Sequence, residues 1–310
     1  MGKHLVLETN QLCKSFKGKT VVNEVSFGIE KGDVFGFLGP NGAGKTTTIR
    51  MIVGLIKADS GSVKINGSDI NKNFINAISN VGAVIETPKF YSYLSAYRNL
   101  ALIKNLHPKV PVKRIEEVLE MVGLLKRASD KVETYSLGMK QRLGIARALL
   151  HYPNLVILDE PTNGLDPQGM KEVREMISQL AIEQDITFLI SSHLLNEVEQ
   201  ICNKVAILRQ GQVIAKGTVK ELLAKENETV ELRTKEVNKS MDVLKNVPFV
   251  KTLTPHPFGL DIEMDKGYSS KIIYILFSNH ITVDYLIPKR ESFEQFFIEL
   301  TEEKGGGQIG

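Results

Sequence analysis

Gly39-Pro40-Asn41-Gly42-Ala43-Gly44-Lys45-Thr46 meets every fixed position of the pattern G-x-x-x-x-G-K-[ST], and that spacing suits the holding of a polyphosphate. Glycines let successive backbone N–H groups close around phosphate oxygens, and a helix starting at the end of the loop adds the positive end of its dipole. Lys45 reaches the β- and γ-phosphates, the Thr46 hydroxyl is placed for Mg²⁺, and Thr47 continues into the helix. A second pair of residues completes this chemistry. Asp159-Glu160 ends the apolar run Leu155-Val-Ile-Leu158, so Asp159 can hold Mg²⁺ opposite Thr46, usually through the ion's water shell. Glu160 can then sit against the attacking water as general base. Alone, a strand ending in Asp-Glu would read as a helix N-cap; beside the glycine loop it reads as half of a nucleotide site.

These residues need particular elements beneath them. Asp33–Leu38 reads as a short buried strand before the loop, and Thr46–Ile56 as a helix after it. Unalternating apolar runs at Leu155–Leu158 and Ile186–Ile190 suit a parallel sheet covered on both faces, whose carboxyl edge collects ligands. Residues 3 to about 36 read as antiparallel β structure with strand-like Leu5–Leu7 and Val25–Phe27, and Ser62–Gly67 adds an alternating strand. Pro111–Leu125 has helical spacing, with Ile115, Val118, Leu119 and Val122 on one face. Val205–Leu208 and Val213–Ala215 flank Gln210-Gly211 as a hairpin. After Glu221 the order changes to βαββαβα: strand Thr229–Leu232, helix Lys239–Leu244, strands Val250–Leu253 and Gly259–Glu263, helix Lys271–Phe277, strand Ile281–Leu286 and helix Ser292–Leu300. That order matches a split-βαβ sandwich, so two domains are expected, residues 1–220 and 221–310.

Composition narrows the function class. A net charge of +3, from 39 basic and 36 acidic residues, is too mild to argue for nucleic acid. No run approaches the roughly 18 apolar residues of a membrane span. The start Met1–Glu8 turns acidic too early for a secretory signal, and Cys13 and Cys202 lack metal spacing, so a cytoplasmic protein with reduced cysteines is expected.

The glycine loop, the Asp159-Glu160 strand and Tyr135-Ser-Leu-Gly-Met-Lys-Gln-Arg-Leu143 together resemble the nucleotide-binding subunit of an ATP-binding cassette (ABC) transporter. The resemblance implies an α/β fold: a P-loop NTPase cassette with a RecA-like parallel sheet core, an antiparallel β subdomain and a helical subdomain, followed here by a small C-terminal α+β domain. It implies ATP as substrate, with Mg²⁺. Where the family carries Leu-Ser-Gly-Gly-Gln, Ser136 and Gly138 match while Leu137 and Met139 depart. Ser136 precedes a helical pattern, so its hydroxyl and a helix N-terminus can both face an anion. The family implies that this anion is the γ-phosphate held by a second cassette. Phe16 matches the aromatic that stacks on adenine, Asp166 in Asn163-Gly-Leu-Asp166 the residue touching the partner cassette, and His193 the histidine contacting the γ-phosphate.

One departure stands out. The family places Gln where Val81–Ile85 ends, and this chain has Glu86, a better Mg²⁺ ligand that cannot donate a hydrogen bond. The surroundings, Ile85–Tyr91 and Leu94–Leu100, are similar to ATPases of bacitracin and lantibiotic export systems. The expected arrangement is two cassettes, identical or paralogous, clamping ATP between Lys45 of one and Ser136 of the other. A separate membrane permease would dock near Glu86–Asn99, where Phe90, Tyr91 and Tyr93 form a socket, and the subunit would lie at the inner face of the cell membrane. The alternative is a cassette ATPase acting on ribosomes or DNA, whose relatives tend to carry two cassettes or long coiled insertions.

Overall fold

The computed structural model describes residues 5–223, 227–289 and 296–297, and divides into two compact units at Val219/Lys220. In the first unit, alternating residues close into a long antiparallel hairpin, β1 (Leu5–Phe16) and β2 (Lys19–Glu30). It turns at Lys17-Gly18, both with positive φ, the backbone that matches the right-handed twist of a two-residue hairpin. These strands outrun the apolar patches visible in the sequence because register shifts around left-handed Gln11 and Glu24 break the alternation. Next come β3 (Val34–Leu38) and α1 (Lys45–Ile52). The helix stops before the expected Ile56: the N–H groups of Leu55 and Ile56 both return to the Arg50 carbonyl. β4 (Ser60–Ile65) and β5 (Ser68–Asp69) complete an antiparallel sheet in the order β2-β1-β4-β5.

The chain continues through α2 (Phe74–Ile78), β6 (Val81–Val84), α3 (Ala96–Lys104), α4 (Arg114–Met121), α5 (Leu137–Leu149) and β7 (Leu155–Asp159). It then forms α6 (Pro167–Glu183), β8 (Thr187–Ser192), α7 (Leu195–Ile201), β9 (Lys204–Arg209) and β10 (Gln212–Thr218). The second sheet runs β10-β9-β3-β8-β7-β6, parallel except for the edge strand β10. Every residue of β3, β7 and β8 is buried, which explains why their apolar runs do not alternate with exposed polar residues. Phe27 stacks on Phe35 at 5.3 Å and meets Phe37 at 5.1 Å, so the two sheets share one core. Cys202 is buried against Gly36 of β3, and burial pushes its thiol well above the usual range. On α4, Ile115, Val118 and Leu119 are buried, with Val122 beside them, as their spacing predicts. Because β8 lies between β3 and β7, the carboxyl ends of these three neighbouring strands converge.

A short helix, α8 (Val219–Leu222), follows. The second unit contains β11 (Asn227–Arg233), α9 (Val237–Leu244), β12 (Val250–His256), β13 (Gly259–Asp265), α10 (Ser269–Ser278) and β14 (Tyr285–Lys289). Its antiparallel sheet, β12-β13-β11-β14, is the split-βαβ arrangement, cored by Val230, Leu232, Leu260, Ile262 and Met264. The expected strand Ile281–Leu286 shifts toward the C-terminus. Ile281 is buried in this core from a loop, and pairing with β11 begins at Tyr285 opposite Arg233. The expected helix Ser292–Leu300 lies outside the described residues apart from Phe296 and Phe297, which are helical. Among the described residues no helix is long and apolar enough to cross a membrane.

Candidate nucleotide site

Gly39 leaves β3 so close to β9 that a Cβ there would sit 2.3 Å from the Leu208 carbonyl oxygen. Gly44, with φ of 105°, opens α1, and a Cβ on it would lie 2.7 Å from the Val21 carbonyl oxygen. Both spacings demand glycine, so the loop is held as a narrow backbone cradle. Residues Asn41 to Thr47 floor a cleft of about 330 Å³. Val21 lines one side, and Glu160, Asn163 and His193 line another.

Within the cradle the polar groups already have partners. Lys45, 6% exposed, donates to the Gly39 carbonyl at 2.7 Å and lies 3.1 Å from Glu160 Oε1. Thr46 Oγ1 donates to Asp159 Oδ2 at 2.9 Å, and Ser191 Oγ donates to Asp159 Oδ1 at 2.5 Å. Ser191 Oγ also accepts from the Glu160 backbone N–H at 3.0 Å, so one hydroxyl fixes both acidic residues. Glu160 has φ of 50°, a left-handed conformation that turns its side chain back over the strand end. There its Oε2 lies 2.6 Å from His193 Nδ1, the donor when the proton is on that nitrogen.

Other predicted residues stand elsewhere. Ser136 caps α5, accepting from the Met139 N–H at 3.2 Å, and Asp166 caps α6, accepting from the Gly169 N–H at 3.2 Å. With Gly138 they line a separate cavity of about 280 Å³, which shares no lining residue with the cradle. Phe16 is 44% exposed at the end of β1, with Lys14 Nζ 5.5 Å from its ring centre. Pro40 gives a carbonyl 3.4 Å from Lys45 Nζ. Glu86 has φ of 63° and pairs with Arg50 of α1, outside the lining of the cradle. Sequence reasoning missed Ser191, Asn163 and Val21. Ser191 becomes visible only through the strand order, which sets the carboxyl end of β8 beside the Asp159 strand end. Val21, on the long hairpin, gave none.

The donor set fits the expected metal. Thr46, which lines the cradle, and Asp159, bonded to it, offer hard oxygen atoms, and among the described residues no group of three or more His, Cys, Asp or Glu could hold a metal alone. Few protein ligands, completed by water and substrate phosphate, is the manner of Mg²⁺.

Cradle, strand order and acidic strand end together define a P-loop nucleotide-binding protein. Comparison with known proteins narrows this. The ABC transporter family model matches residues 22–163. The chain is 42% identical over 298 residues to an uncharacterized ABC transporter ATP-binding protein, YhcH, from Bacillus subtilis (strain 168), covering 96% of each. It is 40% identical to the bacitracin transport ATP-binding protein BcrA of Bacillus licheniformis, covering 98% of this chain and 99% of that one. A solved structure of cbiO1 from Clostridium perfringens, part of the ABC transporter complex cbiONQ, superposes with a TM-score of 0.66 at 27% identity, covering 79% of this chain and 97% of that one. The chain therefore belongs to the ABC transporter ATP-binding proteins, a family of ATP hydrolases, and its cassette fold is that of the family.

Proposed function

We propose that this protein is the ATP-hydrolysing subunit of an exporter for peptide antibiotics or related amphipathic compounds, driven by ATP-dependent closure of two cassettes. The observation that carries it is the separation of the two phosphate-facing elements: the Ser136 cavity contains no residue of the Lys45 cradle. On this reading a triphosphate in the cradle is enclosed by the serine segment of a second cassette, which in another copy of this chain is Ser136, Gly138 and Asp166. Relatives add the transport class, since the bacitracin transport protein BcrA aligns over nearly the whole length. No support for a ribosome- or DNA-associated role comes from the relatives above.

The resting hydrogen bonds support the following reading of the site. Lys45 exchanges Glu160 and the Gly39 carbonyl for β- and γ-phosphate oxygens, which frees the Glu160 carboxylate. Glu160 then accepts a proton from water as its oxygen bonds to the γ-phosphorus and the bond to the ADP oxygen breaks. His193 holds Glu160 in orientation and faces the γ-phosphate. Thr46 and Asp159 would hold Mg²⁺, with Glu86 joining them, and the ion would neutralise charge on the phosphates. Phe16 is read as the adenine platform.

A separate permease is the second partner. Tyr91 and Tyr93 are 56% and 63% exposed and meet edge-on at 6.0 Å, while buried Asn99 clamps both backbone groups of Tyr91. This rigid aromatic projection suits the cytoplasmic helix of a membrane protein and would place the subunit at the inner membrane face. Residues 1–220 serve as the ATPase domain and 221–310 as an accessory domain. Glu160→Gln should trap ATP-bound dimers, visible as a doubled mass on a sizing column run with ATP. Monomers alone under saturating ATP would count against dimer closure.

A further inference from the structure

Two glutamates follow neighbouring parallel strands, Glu160 after β7 and Glu86 two residues past β6, and both have left-handed φ, 50° and 63°. Each is paired with a cation of the same helix: Glu160 with Lys45 at the start of α1, and Glu86 with Arg50 in its last turn. An amide at position 86 could not form an ion pair with Arg50, whereas the carboxylate does. Left-handed backbone at a residue with a side chain is held only where the surroundings determine it. At Glu86 the cation of Arg50 is the polar partner of the side chain, and neither residue lines the cradle.

We propose that Arg50 is the positioning residue for Glu86, holding its carboxylate off the metal side of the cradle until nucleotide arrives. Exposure sets the strength of this hold. The Glu86 side chain is 64% exposed and that of Arg50 is 36% exposed, so the pair resembles a surface ion pair and shifts an equilibrium by about two- to fivefold. Such a hold biases the loop without locking it. The pair also ties the end of α1 to the loop that carries Tyr91 and Tyr93, so releasing Glu86 would loosen the segment where the permease is expected. This inference rests on the cradle being the nucleotide site and on Glu86 being able to join its metal.

The test is binding of a fluorescent, non-hydrolysable ATP analogue at graded Mg²⁺, read by anisotropy on the full chain. Arg50→Met should lower the Mg²⁺ needed for half-maximal binding by about two- to fivefold, an effect that shrinks in about 0.5 M salt. In Glu86→Gln protein the same Arg50→Met change should do nothing, while Arg50→Lys should keep the wild-type curve. An Arg50→Met shift of equal size in both backgrounds, or in neither, overturns the proposal. Should Arg50→Met fail to fold, Arg50→Gln replaces it with the same two outcomes. Lys45→Ala separates the two layers. If it still binds the analogue, the cradle assignment fails. If it loses binding while the Arg50 and Glu86 effects are simply additive, the Arg50 assignment alone fails.

Discussion

The cradle and the serine cavity handle their polar groups differently. In the cradle, Lys45, Thr46, Asp159, Glu160 and Ser191 are joined to one another, so the polar groups of the candidate site satisfy each other. A buried ammonium cannot be left unpaired, and Glu160 supplies the missing anion. At the other cavity, Ser136 and Asp166 cap their own helices, a role that needs no ligand. One half therefore satisfies its polar groups through its own neighbours, which under the proposed function a nucleotide displaces. The other is a pair of ordinary helix starts, to which the proposed function brings a second chain's phosphate.

That contrast can be broken most severely at Lys45. Lys45→Ala removes the cation meant for the phosphates and leaves Glu160 without its counter-charge. Charged hydrogen bonds are worth about 1.5–3 kcal/mol each, so ATP-analogue affinity should fall by about 10- to 100-fold. Affinity within threefold of wild type would show that the cradle does not bind through this lysine. Ser136→Ala sharpens the comparison from the other side. It should leave analogue binding by single chains unchanged, lower thermal stability by the roughly 1 kcal/mol of a lost cap, and weaken ATP-dependent dimers of Glu160→Gln protein. Weakened binding to single chains would mean that the two halves are not independent.

The smallest effect lies away from both halves. His151 stacks on His107 at 4.9 Å, its Nε2 lies 3.1 Å from the Val81 carbonyl, and burial, then the His107 charge, holds its pKa below the ordinary 6.5. The unfolded chain binds this proton more readily, so folding stability is intact above pH 6.5 and falls as acid carries the pH below it. Melting temperature should drop between pH 7 and pH 5.5, and less in His151→Gln protein. An identical drop in both would assign the acid sensitivity elsewhere.

How much of this was legible depended on whether a residue's role is local. Gly39–Thr46 and Asp159-Glu160 declared themselves because backbone curvature and strand ends fix their positions without distant help. Helix α4 was readable because Ile115, Val118 and Leu119 repeat at helical spacing. Ser191 acts through strand order, since β8 sits between β3 and β7 although it comes after both in the chain. No periodicity encodes that adjacency. Ile281 misled for a related reason: a buried isoleucine signals core, and the core here accepts it from a loop. Glu86 was visible as a departure from a family pattern, but its partner Arg50 became visible only when the end of α1 was seen to meet the loop after β6.

The two thiols differ in a way that experimenters can use. Cys202 is sealed in the interior and kept protonated, hence inert toward maleimides, whereas Cys13 on β1 retains access to solvent. A native chain would take up a single dye or spin label per copy without any engineered residue, and spectroscopy between labels on two copies would give the distance over which the cassettes approach.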